Sequence, residues 1–175
     1  ILIARLQAAC PSIARIEGAP DLYAIRELSQ TANASTDPHH PVSNPAGQKH
    51  GAAYVIFWGE EVKESKSDGC ARASHIFLIA VVAKKHQKMR TGVEARQEDG
   101  ALVDQVIEAL RGWDYGQALA ASIAASASPP IPHLGRRRLR RITAPINRHQ
   151  MIDPLGQDNG LVTTLLAFEA DNLIL

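Results

Sequence analysis

The chain has 175 residues, enough for one domain with its own core and too few for two comfortable ones. Hydrophobic residues make up 45% and charged residues 21%, the balance of a soluble globular domain, and its longest apolar run, IFLIAVVA (76–83), is too short to cross a bilayer as a helix. Two cysteines, Cys10 and Cys70, cannot build a disulfide framework and are expected as free thiols, while a formal net charge of +1 falls short of the footprint of a basic nucleic-acid-binding domain.

ILIARLQAAC (1–10) sets Ile1, Leu2, Ile3 and Leu6 at helical spacing, with Arg5 and Gln7 expected towards solvent and Pro11 closing the helix. Arg5 and Gln7 also interrupt the apolar stretch that a lipoprotein signal would need, so an amphipathic helix is the reading. SIARIEG (12–18) reads as a short strand. PDLYAIRELS (20–29) reads as a helix with Pro at its start and Leu22, Ile25 and Leu28 on one side.

Residues 31–51, TANASTDPHHPVSNPAGQKHG, hold three prolines, two glycines and almost no large apolar side chain. They are expected as a long loop, of the kind that serves as an arm onto a neighbour. AAYVIFWGEEV (52–62) and ARASHIFLIAVVAKKH (71–86) are apolar on both faces and predict an antiparallel hairpin at the centre of a sheet.

EDGALVDQVIEALRGW (98–113) is the clearest helix, with Leu102, Val103, Val106, Ile107 and Leu110 in one stripe and Gly112 at its end. QALAASIAASAS (117–128) is a weaker helix of small residues. LGRRRLRRITAPINRH (134–149) predicts an edge strand because of Pro145, and GLVTTLLAFEADNLIL (160–175) an interior one, with Leu165 and Ala167 facing one way and Leu166, Phe168 and Ala170 the other. The sum is a single α+β domain over 1–175, a mainly antiparallel sheet with helices packed on it.

Catalytic and metal chemistry find little support in this pattern. Asp37, His39, His40 and His50 form the best cluster of metal ligands, but adjacent histidines chelate one ion poorly, and neither cysteine has a ligand at C-x-x-C or C-x-x-H spacing. There is no G-x-S-x-G elbow, Ser74 and His75 alternate faces of a strand, and Glu60, Glu61 and Asp153 could meet only through tertiary structure. Gly92, Gly100 and Gly112 are too widely spaced for a phosphate loop. No enzyme, no metal and no cofactor is expected.

The charge is concentrated in GRRRLRR (135–141), five arginines in seven positions. In a strand, Arg136, Arg138 and Arg140 share a face with Ile142, and Arg137 and Arg141 share the other with Leu139, so neither side is expected to be buried in a monomer. Three readings follow. The arginines could pair with acids of another subunit, such as those in GEEVKE (59–64), which holds Glu60 and Glu61, or in EARQED (94–99), because a guanidinium fork suits carboxylates. They could be a solvated edge that resists aggregation. They could hold phosphates as a nucleic-acid-binding module, although the run has no aromatic residue for base stacking.

The order of elements resembles the tail terminator or tail completion proteins of tailed bacteriophages, especially the Mu-like group. The resemblance rests on the ILIARLQAAC helix, the strand and variable loop after it, and AAYVIFWGEEV paired with ARASHIFLIAVVAKK and its F-x-I-x-V pattern. It continues through ALVDQVIEALRGW, the basic strand and VTTLLAFEADN. It implies a structural virion protein in the tail or neck, assembled in the bacterial host cytoplasm. It also implies a homo-oligomeric ring, typically a hexamer, that caps the tail tube and meets the tube protein on one side and a connector or stopper protein on the other. Genomic DNA would pass through the channel without specific binding, and no membrane is involved. Arg136, Arg137, Arg138, Arg140, Arg141, Glu60 and Glu61 are the expected subunit-interface residues.

Overall fold

The two apolar runs at the centre of the sequence pair with each other. A computed structural model describes residues 1–25, 50–65, 71–84, 92–126, 138–143 and 161–174. Its elements are helix α1 (Leu2–Ala9), strands β1 (Ile13–Gly18), β2 (His50–Ser65) and β3 (Ala71–Lys84), helices α2 (Gly92–Leu110) and α3 (Tyr115–Ser126), and strands β4 (Leu139–Ile142) and β5 (Leu161–Ile174). Among the described residues the strands form one sheet in the order β1-β2-β3-β5-β4. β1 runs parallel to β2 and every other neighbour is antiparallel, so the fold is α+β around a mixed, mainly antiparallel sheet.

Strand alternation sends each side chain to one of two cores. On one face Ala53, Val55, Phe77, Ile79, Val81, Leu166 and Phe168 meet Leu2 and Leu6 of α1, Leu102, Val106 and Leu110 of α2, and Tyr115 of α3. On the other face Ala52, Tyr54, Ile56, Leu78, Ala80, Val82 and Ala167 meet Leu22 and Ile25, where a helical turn begins. Asp21 opens that turn by accepting a hydrogen bond from the Ala24 amide at 2.8 Å. Each of the larger aliphatic side chains contributes about 1.5–3 kcal/mol by leaving water. β5 lies inside the sheet and β4 at its edge, both as the sequence predicts.

Four expectations are corrected. Arg5 is not turned into solvent: its Nε donates to the Ala109 carbonyl at 2.9 Å, meeting the end of α2, where the last carbonyls of a helix lack internal partners. His50 and Gly51 belong to β2 rather than to the loop; the other residues of 31–51 lie outside the described residues. Helix α2 begins at Gly92, before position 98, because its first turns are polar and give no periodic apolar signal. β4 spans only four residues, and Leu139 within it is buried, so one face of the arginine strand does reach the core.

Candidate assembly surface

One end of the sheet brings exposed aromatic side chains together with charged ones. The chain's three phenylalanines fall in one row, Phe57 level with Phe77 and Phe77 level with Phe168, and Arg141 completes the row on β4. Phe57 packs against Phe77 and His75 with ring centroids 5.5 and 5.4 Å apart, and Phe77 meets Tyr115 at 5.3 Å. Such edge-to-face and tilted pairs are favourable beyond the area they bury. Yet Phe57 is 53% exposed and Trp58 beside it 41%. Ile1, Val55, Phe57, Phe77 and Tyr115 line an apolar groove of about 240 Å³ next to them.

His75 is the polar hinge of this cluster. Its Nδ1 lies 3.0 Å from the Tyr115 hydroxyl, and its Nε2 lies 3.6 Å from a carboxylate oxygen of Glu60. Burial pushes the Tyr115 hydroxyl up to about 12 and so keeps it neutral. Ser74, fully buried, instead donates to Asp171 at 2.8 Å. Ser74 and His75 therefore do not act together, as their alternation in the strand predicts.

The row of arginines divides. Arg136 and Arg137 lie outside the described residues. Arg138 is exposed and joined to Asp114 by a single backbone bridge at the start of β4. Arg140 is engaged within the chain: its Nη2 donates to Glu169 at 2.6 Å, with the arginine side chain 67% exposed and the glutamate only 7%. That hydrogen bond, and then the carboxylate charge, raises the Arg140 pKa above its ordinary value. Arg141 is exposed.

Glu60 and Glu61 sit on β2, with β3 and β5 between them and β4. Three strand spacings put about 14 Å between the two lines of charge, so one chain does not bring these acids and arginines together. His39, His40 and Asp153 lie outside the described residues, and His50 is the first residue of β2. Cys10 is a buried free thiol whose pKa is raised by burial against the smaller opposing pull of Arg5; Cys70 lies outside the described residues.

Sequence reasoning missed the Arg140–Glu169 pair, although its signal was there. Glu169 is an acid on the face that Leu165 and Ala167 share, in a strand expected inside the sheet, and a buried carboxylate requires a cation or several donors. It also missed the exposed aromatics, because Phe57 and Trp58 continue an apolar strand whose neighbour on one side stops short.

A family model described as phage tail terminator protein matches residues 40–131, just over half of the chain. The chain belongs to the phage tail terminator family. No curated protein and no solved structure matches it. The family is a structural, non-enzymatic kind of protein, which makes this chain a structural component of the phage tail within the virion. The matched segment holds β2, β3, α2 and α3, and with them Phe57, Trp58, Phe77, Tyr115, Glu60 and Glu61. No described helix is long and apolar enough to cross a membrane.

Proposed function

We propose that this terminator is the subunit of a six-membered ring that caps the tail tube and joins it to the head-side connector or stopper protein. In this reading the ring ends tube growth and leaves a channel through which the genome passes without sequence-specific binding. The observation that carries it, beside family membership, is the surface at one end of the sheet. Phe57 and Trp58 are exposed next to Glu60 and Glu61 on one flank, and Arg138, Arg140 and Arg141 stand on the other. Exposed aromatics with charged neighbours mark contact surfaces, and opposite charges on the two flanks suit a head-to-tail contact between copies.

Arg138, Arg140 and Arg141, continued by Arg136 and Arg137, are assigned to subunit contacts together with Glu60 and Glu61. The nucleic-acid reading is weaker because the arginine run holds no aromatic residue for base stacking and the chain carries a formal net charge of only +1. Native mass spectrometry at low and high salt tests the proposal, alone and with purified tail tubes. A six-fold species that weakens with salt, and that the double substitution Glu60→Arg, Glu61→Arg abolishes, is the expected result. A chain that stays monomeric in both settings overturns the ring.

A further inference from the structure

The two edges of the sheet have complementary steps. β1 pairs with β2 only from His50 to Val55, and the last bond on that side runs from the Ala19 amide to the Val55 carbonyl at 2.9 Å. From Ile56 onwards no described strand lies on that side of β2. At the opposite edge the arrangement is reversed. β4 pairs with β5 only from Ala167 to Ala170, and from Leu161 to Leu166, where β3 covers the inner side of β5, no described strand lies on its outer side.

The steps fall at the same level. Through β3, Ala52 of β2 is level with Thr163 of β5 and Val55 with Leu166, whereas Ile56 is level with Ala167 and Glu60 with Ala170. β1 thus occupies one half of its edge, and β4 occupies the other half of the opposite edge.

We infer that neighbouring copies of the terminator interlock by these steps and continue one sheet from copy to copy. β4 of one copy fills the place beside residues 56–60 of the next, and β1 of that next copy fills the place beside residues 161–166 of the first. In both halves a single strand then separates β5 from the neighbour's β2, so the two strand spacings, about 10 Å, agree along the whole edge. The directions agree as well. β4 runs opposite to β2, giving an antiparallel pair, and β1 runs with β5, giving a parallel one.

In this register Arg141 comes level with Phe57 on the same face. There its guanidinium can cover the exposed ring, a favourable contact when water is excluded. Arg138 comes level with Glu61, and Arg140 with Gly59, where no side chain stands in its way and no atom lies within 4 Å of a Cβ position. The occupant is a second copy of this chain, because among the described edge strands β4, with Arg138, Arg140 and Arg141 exposed, complements the exposed Glu60 and Glu61 of β2. The inference rests on the proposed ring and adds its contact.

Cross-linking tests it in a Cys70→Ser background. The pairs are Phe57→Cys mixed with Arg141→Cys, and Glu61→Cys mixed with Arg138→Cys. Directly opposed residues of an antiparallel pair have Cα atoms about 4.5–5.5 Å apart, within disulfide reach. Mild oxidation of either mixture should give a disulfide-linked dimer, with none from any variant alone. A disulfide from a single variant would mean a two-fold contact and overturns the interlock. If native mass on the same samples shows the ring but neither mixture cross-links, the interlock is wrong and the ring stands. Monomers without cross-links overturn both.

Discussion

Replacing Gly51 by alanine tests whether the seam between β2, β3 and α2 is as tight as described. Gly51 has φ +73°, a left-handed backbone that costs an ordinary residue about 1–2 kcal/mol. A Cβ there would stand 2.5 Å from Leu102 Cδ1 and 2.9 Å from the Val82 carbonyl oxygen. The leucine could turn away; the carbonyl belongs to the sheet and cannot. Overpacking of this kind adds about 1–3 kcal/mol, for a total of roughly 2–5 kcal/mol. Gly112 supplies the control. Its φ is +70°, but no atom lies within 4 Å of the Cβ position, so Gly112→Ala should cost only the backbone part, about 1–2 kcal/mol. At roughly 3 °C per kcal/mol for a domain of this size, the two variants should melt roughly 6–15 °C and 3–6 °C below the parent. Urea denaturation of all three chains gives the free energies directly. Equal losses for the two variants would show that backbone conformation alone sets the cost, and would refute the contact with Leu102 and Val82.

The arginines of β4 should differ in their effect on stability. Arg140→Ala withdraws the cation that holds the buried Glu169 carboxylate and should lower the urea midpoint, with Glu169→Gln recovering part of the loss; Arg141→Ala should leave the midpoint near the parent's. The buried tyrosines set an alkaline limit. Burial pushes both Tyr54 and Tyr115 up to about 12 from an ordinary value near 10. Folded-state pKa values above the unfolded ones give stability that is fully present below about pH 10 and lost as pH rises through about 12. Denaturation between pH 9 and 12 should show that fall, and Tyr54→Phe should flatten it. The same variant should match or exceed the parent at neutral pH, since the Tyr54 hydroxyl is buried with no hydrogen-bond partner among the described residues.

Much of the fold was legible because it follows from alternation. The central hairpin, the interior position of β5 and its two faces come from runs of apolar residues whose burial on both sides forces them inside the sheet. The helix ending before Gly112 was legible for the same reason, through its stripe. Polar segments carried no such signal, so the first turns of α2 and the entry of His50 into β2 were not visible. The candidate surface was legible only as charge. Sequence shows five arginines, but not that Leu139 anchors their strand in the core or that Glu169 takes one of them. Those facts depend on register between strands distant in the chain. The exposure of Phe57 depends on where β1 stops, which no property of β2 itself reveals.

Open sheet edges invite pairing with any other edge, and proteins that keep them must control which partner succeeds. The charge on this sheet supplies such control in the proposed interlock. Two β4 edges brought together would face arginine with arginine, and two open β2 edges would face glutamate with glutamate. Like charges at a contact penalise both. Only β4 against β2 joins opposite signs, and that contact is head-to-tail, the kind that generates rings. A concentrated basic strand in a nearly neutral chain then needs no phosphate to explain it. Its charge excludes the two self-pairings that would give closed dimers instead of a ring. The same logic explains why the arginines crowd onto four described residues and their immediate flank: β4 is short, and all of its edge takes part in choosing the neighbour.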